Sequence, residues 1–303
     1  MRVATNSMIQ SALADLMTAQ RNQFEANQQV STGKKAPDLK GYGNDSQLII
    51  SQRASLTIVN TYRENNEAML SRMQVQDLAY EELDGAFNDL RTAISTTDGR
   101  TMMSDIEAAF QRMTGALETK FAGKYLFSGM STDRAPIAAD SVADLQAAVP
   151  DTSAVFVHSE RRENYKLDEN AQIELNATAE EVVGDAFAII ERIADFNAGP
   201  NGPFGSPMTN AQMNFLSTEI TNLVGAFDTM TQHAALSGAT HARVERTASF
   251  QSDHATYLEL IVGDLEDVDM AEAATRLTQA QAAVQVSAAT FSTLTQVSLL
   301  NYL

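Results

Sequence analysis

A chain of 303 residues with 39 acidic and 21 basic side chains, net charge −18, does not offer the basic patches that nucleic acid or an anionic membrane surface requires. It contains no cysteine, which excludes disulfides, thiolate zinc sites and thiol catalysis. No run of about 20 uncharged apolar residues could span a membrane, and the N-terminal MRVATNSMIQSALADL has no continuous apolar core of a cleavable signal peptide.

The hydrophobic fraction of 44% is enough for a core, tryptophan is absent, and Gln, Asn, Ser and Thr are abundant, a composition typical of helical assembly proteins. Residues 3–30 predict a charge-poor helix. Ile9, Leu13, Leu16, Phe24 and Val30 follow a 3-4 spacing, with Gln20 and Asn27 on the same stripe, while Arg2, Asp15, Arg21 and Glu25 cancel. Ser31–Asn44 breaks the pattern with Gly33, Pro37, Gly41 and Gly43, and its Lys34, Lys35 and Lys40 make a basic spot on an acidic chain. The spacing is not that of a phosphate-binding loop, so this is read as a connecting loop that contacts a neighbour.

Residues 45–95 predict one helix of roughly 75 Å, with Ile49, Leu56, Val59, Leu70, Met73, Tyr80, Phe87, Leu90 and Ile94 on one stripe, interrupted by Arg63, Asn66 and Asp77. After a turn at Thr97–Arg100, Ser104 and Glu107 read as a capping box for a helix through Ile106, Phe110, Met113 and Leu117 to about Phe121, forming an antiparallel hairpin with the first. Residues 138–178 change character. Ala154–Val157, Asn164–Leu167 and Gln172–Leu175 alternate as short strands of a small β element. Thr178 with Glu181 caps a helix carrying Val182, Val183, Phe187, Ile190 and Ile193, and Asn197–Pro207 is a linker. Thr209 with Gln212 opens the next helix, with Met213, Leu216, Ile220, Leu223 and Phe227 on its stripe and a kink or break expected at Ser237–Gly238. The pattern resumes through Val244, Leu258, Ile261 and Leu265.

Met270–Leu303 carries a heptad seam: Met270, Leu277, Val284 and Phe291 in one row, Ala273, Ala280, Ser287 and Leu294 in another. Glu272 and Arg276 are its only charges. Neutral faces suit a helix surrounded by neighbours in a polymer, and equally a tail that pairs only within its own chain. The two terminal seams are expected to pair with each other, weakly alone and more strongly on assembly. The predicted fold class is mainly α, an elongated rod of long antiparallel helices and a terminal coiled coil, with a small inserted β-rich domain. The division is 1–33 with 270–303 as assembly segments, 34–137 with 209–269 as a helical rod, and 138–208 as the insert.

Candidate chemistry is thin. His158, His233, His241 and His254 form no HxxxH pair, although His233 and His241 could share a helix face. The acidic pairs Glu81–Glu82 and Glu266–Asp267 read as solvated helix faces, and no GxSxG, HExxH or GxGxxG motif occurs. No catalytic, cofactor or metal site is expected, and the chain reads as no enzyme.

Three segments resemble the bacterial flagellin superfamily. Gln29–Lys35, QVSTGKK, closes the first helix as the LSTG-type signature does. Gly123–Arg134, GKYLFSGMSTDR, is similar to the YLFSG segment that precedes the variable domain. The ending SLLNYL is more similar to the hook–filament junction branch, the hook-associated protein 3 family, than to filament flagellins. The run KGYGNDS stands where the family usually has paired aspartates. The resemblance implies a structural subunit that joins the hook, through the preceding hook-associated protein, to the flagellin filament by helical packing of its terminal segments. The alternative is a filament flagellin. It further implies type III export without a cleaved signal, a secreted flagellar location, and partners comprising other copies of itself, flagellin, the preceding hook-associated protein and an export chaperone at the C-terminal segment. Neither nucleic acid nor membrane is among them, and no cofactor is implied.

Overall fold

The structure, a computed structural model, describes residues 2–148, 151–159, 161–175 and 177–300. Among these the chain is mainly α, with helices α1 (Arg2–Thr32), α2 (Ser46–Ile94), α3 (Met102–Leu117), α4 (Val142–Ala147), α5 (Ala179–Ala198), α6 (Asn210–Glu266) and α7 (Met270–Leu300). Two antiparallel hairpins complete it: β1 (Lys120–Phe121) with β2 (Lys124–Tyr125), and β3 (Glu163–Lys166) with β4 (Gln172–Leu175). The 49 residues of α2 and 57 of α6 make helices of about 74 and 86 Å. No described helix is long and apolar enough to cross a membrane. The chain divides into two compact units, one of Met1–Asn60 with Ser252–Leu303 and one of Thr61–Gln251.

The larger unit is built on a continuous apolar core. Leu83, Phe87, Leu90 and Ile94 of α2 meet Ile106, Phe110, Met113 and Leu117 of α3, and Val183, Phe187, Ile190 and Ile193 of α5, all but fully buried. Each set repeats every three or four residues, so each helix buries one stripe. α2 and α3 run antiparallel: Arg112 reaches back to Glu82 and Asp89, at 2.9 and 2.8 Å. Phe110 packs its ring 4.9 Å from that of Phe187.

Several local expectations change. Ser104 lies inside α3, whose N-cap is Thr101; its hydroxyl donates to the Thr101 carbonyl at 2.6 Å, and Glu107 accepts instead from the amide of Val142. α3 ends at Leu117, because Lys120–Tyr125 folds into the β1–β2 hairpin. Its two-residue turn needs positive φ at both Ala122 (49°) and Gly123 (80°), a cost that glycine meets freely. Ala154–Val157 is not a strand. Asp151 accepts from the amide and hydroxyl of Ser153 and winds Thr152–Val155 into a 3-10 turn, leaving one bridge between Phe156 and Ile137. The other two strands do form, in register Glu163↔Leu175 and Tyr165↔Ile173. Leu167, Ile173 and Leu175 pack with Met69 and Met73 of α2 and Val244 of α6. There the buried Asn66 side-chain nitrogen donates to the Leu167 carbonyl and to Gln251 Oε1, at 3.0 and 2.8 Å, so the stripe interruption is a core polar group with its donors paired and its Oδ1 without a partner.

Both later capping boxes are present: Glu181 accepts from the amide of Thr178 at 2.8 Å, and Gln212 from that of Thr209 at 2.9 Å. α6 runs through Ser237–Gly238 without a break. Gly238 costs about 1 kcal/mol in a helix, but the Ser237 hydroxyl is anchored by Asp77, which also holds His241 Nδ1 at 2.8 Å. His241 thus faces an α2 carboxylate, and no described group of three His, Asp or Glu side chains is placed to hold a metal.

A candidate assembly site on paired terminal helices

In the smaller unit α1 packs along α7, and the two run antiparallel, since the residues after α1 bond those just before α7. Both are helices in the single chain. The contact face of α1 is a heptad of two rows. Ala12, Ala19 and Ala26 are buried, and Ile9, Leu16, Gln23 and Val30 are half-buried between them. On α7, Ala273 and Ala280 are buried, and Leu277, Val284, Ser287, Phe291 and Leu294 are half-buried. Seven-residue spacing in both rows keeps one seam facing the partner, and alanines let the backbones approach closely.

Of the expected seam residues, Ile9, Leu16, Val30, Leu277, Val284, Phe291 and Leu294 therefore lie on the contact face. Leu13, Phe24 and Met270 do not: they are 43%, 68% and 49% exposed. Large side chains point to Leu13 and Phe24 on α1, whereas its buried row is Ala12, Ala19 and Ala26, whose strict seven-residue period is visible in the sequence. Leu13 and Phe24 share with Met17, 61% exposed, a second apolar face of α1 that is uncovered in the single chain. The opposite flank of the pair is polar, a groove lined by Asn22, Glu25, Gln29, Arg276 and Gln279 over Ala26, Ala280 and Ala283. The ending SLLNYL lies outside the described residues apart from the backbone of Ser298–Leu300.

The joint that sets this pair in place is the loop where the basic spot was found. Gly33 ends α1 at φ 69°, its amide donating to the Gln29 carbonyl at 2.9 Å. No atom crowds a Cβ there, so the need is for left-handed backbone rather than space. Lys34 then bridges Asp267 in antiparallel fashion: the Lys35 amide donates to the Glu266 carbonyl at 2.7 Å and the Val268 amide to the Gly33 carbonyl at 2.9 Å. Lys35 Nζ donates to the Asp264 and Leu265 carbonyls at the end of α6, at 2.6 and 3.0 Å. Asp269 Oδ1 accepts from Ala271 at 2.8 Å and caps α7. The ends of α1 and α6 and the start of α7 are thus satisfied within one short bridge, the first by the Gly33 amide and the other two by side chains.

Glu266 stands at its centre, 1% exposed, against the expectation of a solvated face. It takes Arg53 of α2, with Nη2 at 2.6 Å from Oε2, and Lys34 Nζ at 3.3 Å. The Arg53 hydrogen bond holds its carboxyl below the usual carboxylate range against the opposing effect of burial, with Lys34 adding in the same direction. Lys34 and Lys35 are therefore spent inside their own chain, and Lys40 is exposed.

A model of the bacterial flagellin C-terminal helical region matches residues 220–303, most of α6 and all of α7. This C-terminal stretch is flagellin-like. No curated protein sequence matches the chain. Two solved structures share its fold. One is described as a flagellar hook-associated protein of Vibrio parahaemolyticus, at 11% identity and TM-score 0.55, with 72% of this chain and 97% of that chain covered. The other is Bacillus cereus FlgL, at 13% identity and TM-score 0.51, covering 71% and 98%. At such identity the likeness is one of fold.

Proposed function

We propose that this flagellar subunit is the junction piece between hook and filament. Segments 1–33 and 270–303 assemble with other copies of itself, the helices of 34–137 and 209–269 form a rod layer, and 138–208 is exposed. Its neighbours are the preceding hook-associated protein on one side and flagellin on the other. It reaches them as a secreted protein through the flagellar export apparatus, escorted by a chaperone on the C-terminal segment, and it catalyses nothing. The observation that carries this reading is the α1·α7 pair, held in one chain by a half-buried seam yet bearing the bare apolar face of Leu13, Met17 and Phe24. Such a face on an otherwise acidic molecule suits burial between subunits. The hook-associated name of one fold relative and the SLLNYL ending favour a junction over a filament role. Purified chain examined by sedimentation and electron microscopy tests this: a junction subunit gives short oligomers or rings at most, and long filaments would assign it to the filament.

A further inference from the structure

The larger unit holds two separate apolar clusters of very different size. The main one is shared by α2, α3, α5 and α6. The second has six buried side chains: Leu167, Ile173 and Leu175 of the β3–β4 hairpin sit on Met69 and Met73 of α2 and Val244 of α6. A two-stranded hairpin is marginal by itself in water and depends on the face it packs against. This one is firmly built at both ends. At its tip Asp168 Oδ1 accepts from the amides of Asn170 and Ala171, both at 2.7 Å. At its base the Met130 amide donates to the Arg161 carbonyl at 3.1 Å, and Arg162 pairs with Glu181 of α5 at 2.6 Å. Gly129 comes so close there that a Cβ would collide with the Ser159 carbonyl oxygen. Between these ends the seat is poor. The Tyr165 hydroxyl and Asn66 Oδ1 are buried in it with no hydrogen-bond partner among the described residues, each a standing cost. A cleft of about 80 Å³ remains at the hairpin's edge, between Arg162 and Leu175 on one side and Met73, Tyr80, His233 and Leu236 of the two long helices on the other. What holds the hairpin down is the Leu167 carbonyl, which accepts from Asn66 Nδ2 and Gln251 Nε2 at 3.0 and 2.9 Å, and the Arg72–Glu163 ion pair at 2.8 Å.

We propose that the β3–β4 hairpin is a flap. It lifts off α2 and α6 about its fixed base, in local openings that leave the main core folded, and uncovers Met69, Met73 and Val244. Six side chains around two unpartnered polar atoms part at far lower cost than the core of the same unit. Methionines suit a surface that is alternately covered and bared, because their flexible side chains repack readily. In a subunit packed among neighbours, the flap is the piece of the larger unit that yields while its core does not. Every group involved lies within Thr61–Gln251, so the flap is independent of the state of α1 and α7.

Because the chain has no cysteine, a single introduced thiol reports the opening without background. In the full chain, Met73→Cys and Val244→Cys place one thiol on each helix under the flap. Both should react with a chromogenic disulfide reagent at least about tenfold faster than Met113→Cys in the main core. Their rates should barely change in dilute urea, whereas that of Met113→Cys should climb steeply, because only global unfolding exposes it. Val244→Cys, the smaller change in volume, decides the matter if Met73→Cys loosens its own seat. Adding Tyr165→Phe removes a buried hydroxyl that has no partner and should slow labelling at Val244→Cys about fivefold, while Arg72→Gln, which cuts the tie to Glu163, should quicken it. Equal rates at Val244→Cys and Met113→Cys, a steep urea dependence at both, or a rate that Tyr165→Phe leaves unchanged or raises would overturn the flap.

Discussion

Ala19→Asp is the sharpest perturbation of the terminal pair. Ala19 is 7% exposed in the middle of the α1 seam. The facing stretch of α7 carries no charge after Arg276, so no cation is available to the new carboxylate. Asp15, one turn earlier, adds like-charge repulsion of a few tenths of a kcal/mol. Placing an unpaired carboxylate in this seam costs about 3 kcal/mol even with partial access to water. The seven large seam side chains are only half-buried and contribute on the order of 1 kcal/mol each before the entropy of ordering is subtracted. The substitution therefore removes most of the margin, and the pair should melt while the larger unit stays folded. α1 and α7 hold 31 residues each, about three tenths of the α-helical content, so the far-ultraviolet circular dichroism signal should fall by about that share. Ala19→Ser, nearly the same size and uncharged, should fall far less. A variant Ala19→Asp that keeps the full helical signal and still enters flagella would refute the seam.

Other outcomes follow from single side chains. Phe110→Ala empties a fully buried site against Phe187 and should lower the urea stability of the larger unit by about 3–5 kcal/mol with an unchanged denaturant slope. Burial pushes the Tyr80 phenol up to about 12, so one of the seven tyrosines should ionise late in an ultraviolet titration, and Tyr80→Phe should remove that step. Because this pKa is raised, its contribution to stability is complete below the ordinary tyrosine value and is lost as pH climbs through about 12. Glu266 behaves oppositely: its folded pKa lies below the ordinary 4.5, so the joint around it is whole above that value and weakens as pH falls beneath it. Exchange of the joint amides measured against pH should show that loss in the native chain and none in Glu266→Gln.

How much of this was legible depended on whether the signal was local. The boxes Thr178–Glu181 and Thr209–Gln212 were readable because each partner lies three residues from the other, and α2 because its stripe persists for 49 residues. Ala154–Val157 misled because β-type alternation was outbid by one upstream aspartate that winds a turn. Large side chains usually mark a core, which points to Leu13 and Phe24 on α1, whereas in the closely packed α1–α7 pair the alanines form the buried row. The Glu266 centre had no local signature at all: its partners lie 213 positions away at Arg53 and farther at Lys34, and only the fold brings them together. An adjacent acidic pair at a helix end looks the same in sequence whether it is solvated or locked.

The most direct test of the junction role is a strain lacking this gene, imaged by electron microscopy with flagellin assayed in the medium. A junction subunit predicts bare hooks and abundant free flagellin outside, because subunits are exported with nothing to build on. Filaments that persist on those hooks would contradict it.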